Sequence, residues 1–132
     1  MAKILIVDDE QSVLSVLATL LETHGHEVVP ALGGDVAIQL IEDGNEFDLM
    51  ISDIRMNPVN GMQLLEVVHE KKPDTSVIML TAYGQVETAI RAMELGAFDY
   101  VKKPFNADHL ICTVDKALEY REFTSQNKSG AE

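Results

Sequence analysis

Met50-Ile51-Ser52-Asp53-Ile54-Arg55-Met56 sets a single carboxylate, Asp53, where a short apolar run gives way to a loop. Asp48 precedes the run and Asn57-Pro58-Val59-Asn60-Gly61 follows it, so the stretch reads as a buried strand feeding a turn. The strand is expected over Leu49 to Ile51, with Asp53 standing just past its carboxyl end. In an open parallel α/β sheet that edge is where ligands bind, which makes a lone acid there a candidate reactive group. A plainer reading, an acid that caps the next turn, has equal standing on this stretch alone.

The segments on either side repeat one alternation. Upstream, Ile4 to Val7 is a strand-length apolar run, and Val13, Leu14, Leu17, Leu20 and Leu21 follow at helical spacing up to Gly25. Glu27-Val28-Val29-Pro30 is a weaker strand, and its proline, which cannot donate to a ladder, places it at a sheet edge. Ala37, Leu40 and Ile41 mark a short helix ending near Gly44. Downstream, Leu64, Leu65 and Val68 mark a helix that stops before Pro73, and Val77-Ile78-Met79-Leu80 runs as a strand into Thr81. Val86, Ala89, Ile90 and Met93 form the next helix, closed by Gly96. Phe98 to Val101 is the last strand, ending at Lys102-Lys103-Pro104, and Ala107, Leu110, Ile111, Val114 and Leu118 form the last helix. Five strands alternating with five helices imply a doubly wound α/β domain: a five-stranded parallel sheet with helices on both faces. That domain is expected over residues 1–121. From Phe123 the chain turns polar without an apolar period, so 122–132 reads as a tail or the start of a linker.

At 132 residues the chain can bury roughly two-thirds of the surface its unfolded form exposes, without disulfide or structural metal. The one cysteine, Cys112, falls in an apolar helical pattern and reads as a small core residue of a reduced, cytoplasmic protein. The apolar start of the chain meets Asp8 and Asp9 too soon for a signal peptide or a membrane span. A formal net charge of −12 argues against direct binding to nucleic acid or an anionic membrane, which needs clustered Lys and Arg. Much of that charge, at Glu10, Glu22, Glu42, Glu66, Glu70, Glu94 and Glu119, fits solvated helix faces.

A parallel sheet gathers the carboxyl ends of its strands at one edge. Asp8 and Asp9 follow the first strand, Asp53 the third, Thr81 the fourth and Lys103 the fifth. Each has an ordinary role open to it, as a helix start, a cap or a surface lysine, but their convergence on one edge favours a site. Unit charges about 4–5 Å apart repel by roughly 3–4 kcal/mol at an effective dielectric near 20, so the carboxylates need a cation to stay ionised. Mg²⁺ suits one or two carboxylates plus waters and phosphate oxygens, whereas Ca²⁺ wants more protein oxygens. A carboxylate nucleophile forms an acyl phosphate, whose equatorial oxygens need metal, lysine and a hydroxyl. Asp53, Mg²⁺, Lys103 and Thr81 can fill these roles.

Ile6-Val7-Asp8-Asp9-Glu10, Ser52-Asp53-Ile54-Arg55-Met56, Leu80-Thr81-Ala82 and Lys103-Pro104 together resemble the receiver domain of two-component response regulators, from residue 3 to about 121. The resemblance implies a flavodoxin-like (βα)₅ fold with strand order 2-1-3-4-5. It implies that Asp53 accepts a phosphoryl group from a histidine of a sensor kinase or phosphotransfer protein, and that the domain catalyses its own phosphorylation and dephosphorylation. Asp9, Asp53 and the backbone carbonyl of Arg55 would bind Mg²⁺ directly, with Asp8 acting mainly through a metal-bound water. Thr81 would move to bond the phosphoryl group and Tyr100 would follow inward. A cis Lys103-Pro104 bond is also expected.

Two positions depart from the family's pattern. Met56-Asn57-Pro58 stands where the family usually has proline directly after the methionine, though Gly61 keeps its offset. Arg55 and Tyr83 occupy positions that flank the route of the hydrolytic water, and their bulk is expected to slow loss of the phosphoryl group. The family works through the face of its fourth helix, fifth strand and fifth helix, here about Gln85 to Tyr120, which contacts an output module or makes a homodimer. Val86-Glu87-Thr88-Ala89-Ile90-Arg91-Ala92-Met93 with Gly96-Ala97-Phe98-Asp99-Tyr100 is similar to receivers of sigma-54-dependent transcription activators, whose output domains would be absent from this sequence. A stand-alone receiver fits the same residues. The alternatives are a non-phosphorylated pseudo-receiver, a metal-dependent phosphatase and a flavin carrier. The complete acid, hydroxyl and lysine set counts against the first, and Arg55 in the place of a general acid against the second. Against the third, Asp8-Asp9-Glu10 stands where a phosphate cradle would need free amides.

Overall fold

The structure is a computed structural model that describes residues 2–56, 59–82 and 86–130, with side chains as far as Arg121. Strands β1 (Lys3–Asp8), β2 (Glu27–Leu32), β3 (Leu49–Asp53), β4 (Ser76–Thr81) and β5 (Asp99–Lys102) alternate with helices α1 (Gln11–Thr23), α2 (Gly34–Glu42), α3 (Gly61–Lys71), α4 (Val86–Glu94) and α5 (Ala107–Gly130). All four strand pairings are parallel and the order is β2-β1-β3-β4-β5, the expected doubly wound topology. β2, with Pro30, takes the edge that its proline demands.

Side chains alternate across the sheet with the period of two that a strand imposes. Ile4, Ile6, Leu49, Ile51, Ile78 and Leu80 point to one face, where Leu14, Leu17 and Leu21 of α1 and Leu110, Val114 and Ala117 of α5 close over them. Leu5, Val7, Met50, Val77 and Met79 point to the other, against Ala37 and Ile41 of α2, Leu64, Leu65 and Val68 of α3, and Ala89 and Ala92 of α4. Each fully buried Leu or Ile contributes roughly 1.5–3 kcal/mol relative to exposure, so these two layers hold the frame on which the carboxyl edge is built. Gly25, Gly44 and Gly96, read as helix stops, all sit at positive φ, between 87° and 112°.

Two details differ from the sequence reading. β3 continues to Asp53, whose Cα partner is Leu80, so the acid is the last strand residue and not the first of the loop. Cys112 is exposed, not in the core. The buried stripe of α5 runs through Leu110, Thr113, Val114 and Ala117, and a residue two places from both Leu110 and Val114 falls on the opposite side. α5 carries its helical backbone to Gly130, through the stretch expected as a tail. Without an apolar stripe nothing there signalled packing, but neither does any proline interrupt propagation. The expected cis Lys103-Pro104 bond is present. No helix among the described residues is long and apolar enough to cross a membrane.

Candidate functional site

The carboxyl edge of the sheet collects most of the buried polar side chains among the described residues. Asp8 is 0% exposed, Thr81 0% and Asp53 6%, and Ser52 is buried beside them. β1 and β3 are neighbours and end together, which brings Asp8 and Asp53 to adjacent positions. Lys103 reaches in from the end of β5. Its Nζ donates to Asp8 Oδ2 at 2.9 Å and stands 3.4 Å from Asp53 Oδ2, so one ammonium serves two carboxylates. The backbone holds that lysine in place, because the Lys103 N–H donates to the Thr81 carbonyl at 2.7 Å.

The local backbone explains why each acid is where it is. Asp8 Oδ1 accepts the Glu10 N–H at 3.0 Å, a short turn that leads into α1 with Glu10 as its N-cap residue. After Asp53 the Ile54 N–H donates to the Leu80 carbonyl at 3.1 Å, continuing the β3–β4 ladder one residue beyond the strand. The loop then closes on itself, with the Gly61 N–H donating to the Ile54 carbonyl at 2.7 Å. A Cβ at Gly61 would strike the Asp53 carbonyl oxygen and lie 2.8 Å from Ile54 Cα, so only glycine lets α3 start this close to the acid. Asn60 caps that helix, accepting the Gln63 N–H at 2.9 Å while Gln63 returns a bond to the Asn60 N–H.

Electrostatics follow from burial and count. Burial pushes the Asp53 carboxyl above its ordinary value; Lys103 pulls it back, the Asp8 charge pushes it up again, and bonds from Lys103 and from the Arg55 backbone N–H lower it. Burial alone would lower Lys103, but its bond to Asp8 and the charges of Asp53 and Asp8 outweigh that and raise it. One lysine is too little positive charge for the acids around it. Asp8, Asp9 and Glu10 bring one oxygen each within 4.8 Å of one another, Asp8 buried and the other two exposed. This donor set is all hard oxygen, with Asp53 alongside through Lys103, and so fits a small divalent cation such as Mg²⁺ better than a soft metal.

The expected residues therefore divide by how they are placed. Asp8, Asp53 and Lys103 are in direct contact. Thr81 ends β4 next to them, its Oγ1 donating to the Ala82 carbonyl at 3.3 Å. Tyr100 is half-buried on β5, packed against the layer that contains α4. Asp9 and Arg55 are exposed at the rim. Tyr83 and the Asn57-Pro58 departure lie outside the described residues. Glu10, read from sequence as a solvated acid, joins the cluster; its adjacency to Asp8-Asp9 was the available signal.

Comparison with known proteins agrees with this geometry. The family model described as response regulator receiver domain matches residues 4–115. The regulatory protein AtoC of Escherichia coli K12 is 40% identical over 124 residues, covering 94% of this chain and 27% of AtoC. The response regulator SaeR of Staphylococcus aureus strain USA300 is 39% identical over 118 residues, covering 89% of this chain and 51% of SaeR. The chain thus spans between about a quarter and a half of the length of these curated relatives. Among solved structures, a response regulator receiver domain protein from Clostridium thermocellum is similar with a TM-score of 0.87 at 34% identity, over 94% of this chain and 99% of that one. The receiver domain of NtrX from Brucella abortus matches with a TM-score of 0.82 at 36% identity, over 88% and 98%. A sheet that ends in Asp8, Asp53, Thr81 and Lys103 at one edge, and a match to the family over residues 4–115, place this chain in the response regulator receiver domain family.

Proposed function

We propose that the chain is a phosphorylation-activated switch that takes a phosphoryl group onto Asp53 from a phosphohistidine of a sensor kinase or phosphotransfer protein. The observation that carries this reading is the pair of buried carboxylates, Asp8 and Asp53, bridged by Lys103 at the end of the central strand. An Asp53 oxygen attacks phosphorus; the new O–P bond forms as the donor's P–N bond breaks, and the electron pair stays on the imidazole nitrogen, which takes up a proton. Lys103 stabilises the charge on the transferring oxygens, and Thr81 offers its hydroxyl to them. Asp9, Asp53 and the Arg55 carbonyl would hold Mg²⁺, with Asp8 behind a metal-bound water. Bound there, the ion neutralises phosphoryl oxygens and the acidic cluster. Burial and Asp8 leave the Asp53 carboxylate reluctant to ionise, and Lys103 counters this before any cation binds.

The switch runs from Thr81, as it turns toward the phosphoryl group, to Tyr100 on the neighbouring strand and so to the α4-β5-α5 face. That face relays the state to an output module or a second copy of the chain. Residues 1–121 act as the receiver and 122–132 lead on from it. The printed name of one relative, the transcriptional regulatory protein ZraR of Escherichia coli K12, supports control of transcription, and the switch acts in the cytoplasm. The bulk of Arg55 and Tyr83 slows hydrolysis of the aspartyl phosphate.

Intact-mass analysis after incubation with a small-molecule phosphodonor, with and without Mg²⁺, tests the reading. A Mg²⁺-dependent gain of one phosphoryl group that disappears in Asp53→Asn is the expected result. No gain with any donor would leave a binding module in its place.

A further inference from the structure

Glycine weakens a helix by roughly 0.5–1 kcal/mol relative to alanine, so a helical glycine with an ordinary backbone needs another reason to be there. Gly33 and Gly34 differ on this point. Gly33, at the N-cap of α2, has φ 102° and ψ 155°, a conformation open to few other residues. Gly34 opens the helix and is not among the positive-φ residues. What a side chain at 34 would meet is the loop after Asp53. An added Cβ would stand 2.7 Å from the Val59 carbonyl oxygen and 3.0 Å from Val59 Cβ and Cγ1. Val59 lies against the first residue of α2 at a distance that a bare Cα alone permits.

The same turn holds the other half of the site. The Gly33 N–H donates to the Asp8 carbonyl at 2.9 Å, tying the start of α2 to the end of β1. Among the described residues the loop is fixed again at Gly61, bonded to the Ile54 carbonyl and packed on Asp53. Arg55 stands one residue beyond Ile54 in the same loop, and its backbone N–H is close enough to the Asp53 carboxylate to favour its ionised form. One turn, Gly33-Gly34, thus touches the Asp8 strand on one side and the Asp53 loop on the other.

We propose that Gly34 is a positioning residue for the chemistry of Asp53: its bare Cα lets Val59 seat on α2, and that seat holds the Arg55 amide and the Asp53 carboxylate in register with Asp8. The inference rests on Asp53 being the phosphoacceptor. Gly34 touches no reacting atom; it acts through Val59 and the loop.

Gly34→Ala and Gly44→Ala, compared in the full chain, test this. Gly44 has φ 95° with nothing within 4 Å of an added Cβ, so alanine there strains the backbone without touching the loop. Three readouts are taken: the urea midpoint, amide exchange across residues 54–61, and the rate of phosphoryl gain from a small-molecule donor. Gly34→Ala is expected to slow phosphoryl gain about tenfold, since small displacements at a reacting centre cost this much or more. It should speed exchange of the Gly61 amide by about tenfold. Gly44→Ala should leave both within about twofold at an equal or lower midpoint. If Gly34→Ala fails to fold, Val59→Gly, which leaves α2 intact and removes the seated side chain, is expected to give the same two changes. Wild-type rate and exchange in Gly34→Ala, or losses in both glycine variants that simply track their midpoints, would overturn the proposal. Failure of the wild type to gain a phosphoryl group would instead remove the acceptor reading, and amide exchange would still report whether Gly34 seats the loop.

Discussion

The two edges of the sheet use charge in opposite ways. At the amino edge, acids and bases meet one to one near the surface: Lys71 with Glu42 at 3.3 Å, Lys72 with Glu46 at 2.6 Å, and Arg121 with Asp48 at 3.0 Å. At the carboxyl edge one lysine faces two buried carboxylates, with Asp9 and Glu10 close by. Exposed balanced pairs contribute little, about 0–1 kcal/mol each, and are dispensable. A buried unbalanced set is costly, and such sets concentrate at functional sites. Arg121 shows what the amino edge does achieve. Its Nε donates to the Asp74 carbonyl at 2.7 Å, while Asp48 also accepts the Lys3 N–H at 2.8 Å, so α5, β3 and β1 are tied together there.

The largest effect that would sharpen this contrast is expected from Lys103→Ala. With its ammonium gone, Asp8 and Asp53 face each other uncompensated, and stability in metal-free buffer at neutral pH should fall by about 3 kcal/mol. Urea unfolding measures it, and a loss no larger than that of a surface pair would break the comparison.

Asp53→Asn should act in the other direction. The folded pKa of Asp53 lies above its ordinary 3.8, through burial first and the Asp8 charge in part. The native chain therefore holds that proton more tightly than the unfolded chain does. Its contribution to stability is fully present below 3.8 and is lost as pH rises through the raised value, above which the ionised form is disfavoured. At neutral pH without divalent cation the variant is expected to be more stable than wild type. Its stability should also change less with pH across that interval, as urea midpoints taken from neutral to weakly acidic buffer would report. A variant less stable than wild type at neutral pH would contradict the account.

The smallest effects belong to the amino edge. Arg121→Ala should cost about 1 kcal/mol, because it loses a carbonyl bond as well as an ion pair, and Lys71→Ala within about 0.5 kcal/mol. Thermal unfolding at low and high salt would separate them, since only the ion-pair component is screened.

The order of elements was legible because it rests on local pattern. Apolar runs of strand length, helical spacing between them, Pro30 at an edge and glycines at 25, 44 and 96 each constrain the backbone within a few residues. The residue types of the site were legible too, since strand ends converge in any parallel sheet. Cys112 was misread because an apolar neighbourhood in sequence is not a face.

The sequence by itself determined the alternation, the edge strand and the chemistry available at the carboxyl end. Tertiary structure alone decided which acid is sealed in, Asp8 and Asp53 but not Asp9, and that Lys103 reaches both across 95 residues of chain from Asp8. It also decided that Val59 comes to rest on Gly34. The reason is physical: backbone preference acts over neighbouring residues, whereas burial, charge balance and steric fit are set by which surfaces the fold presses together.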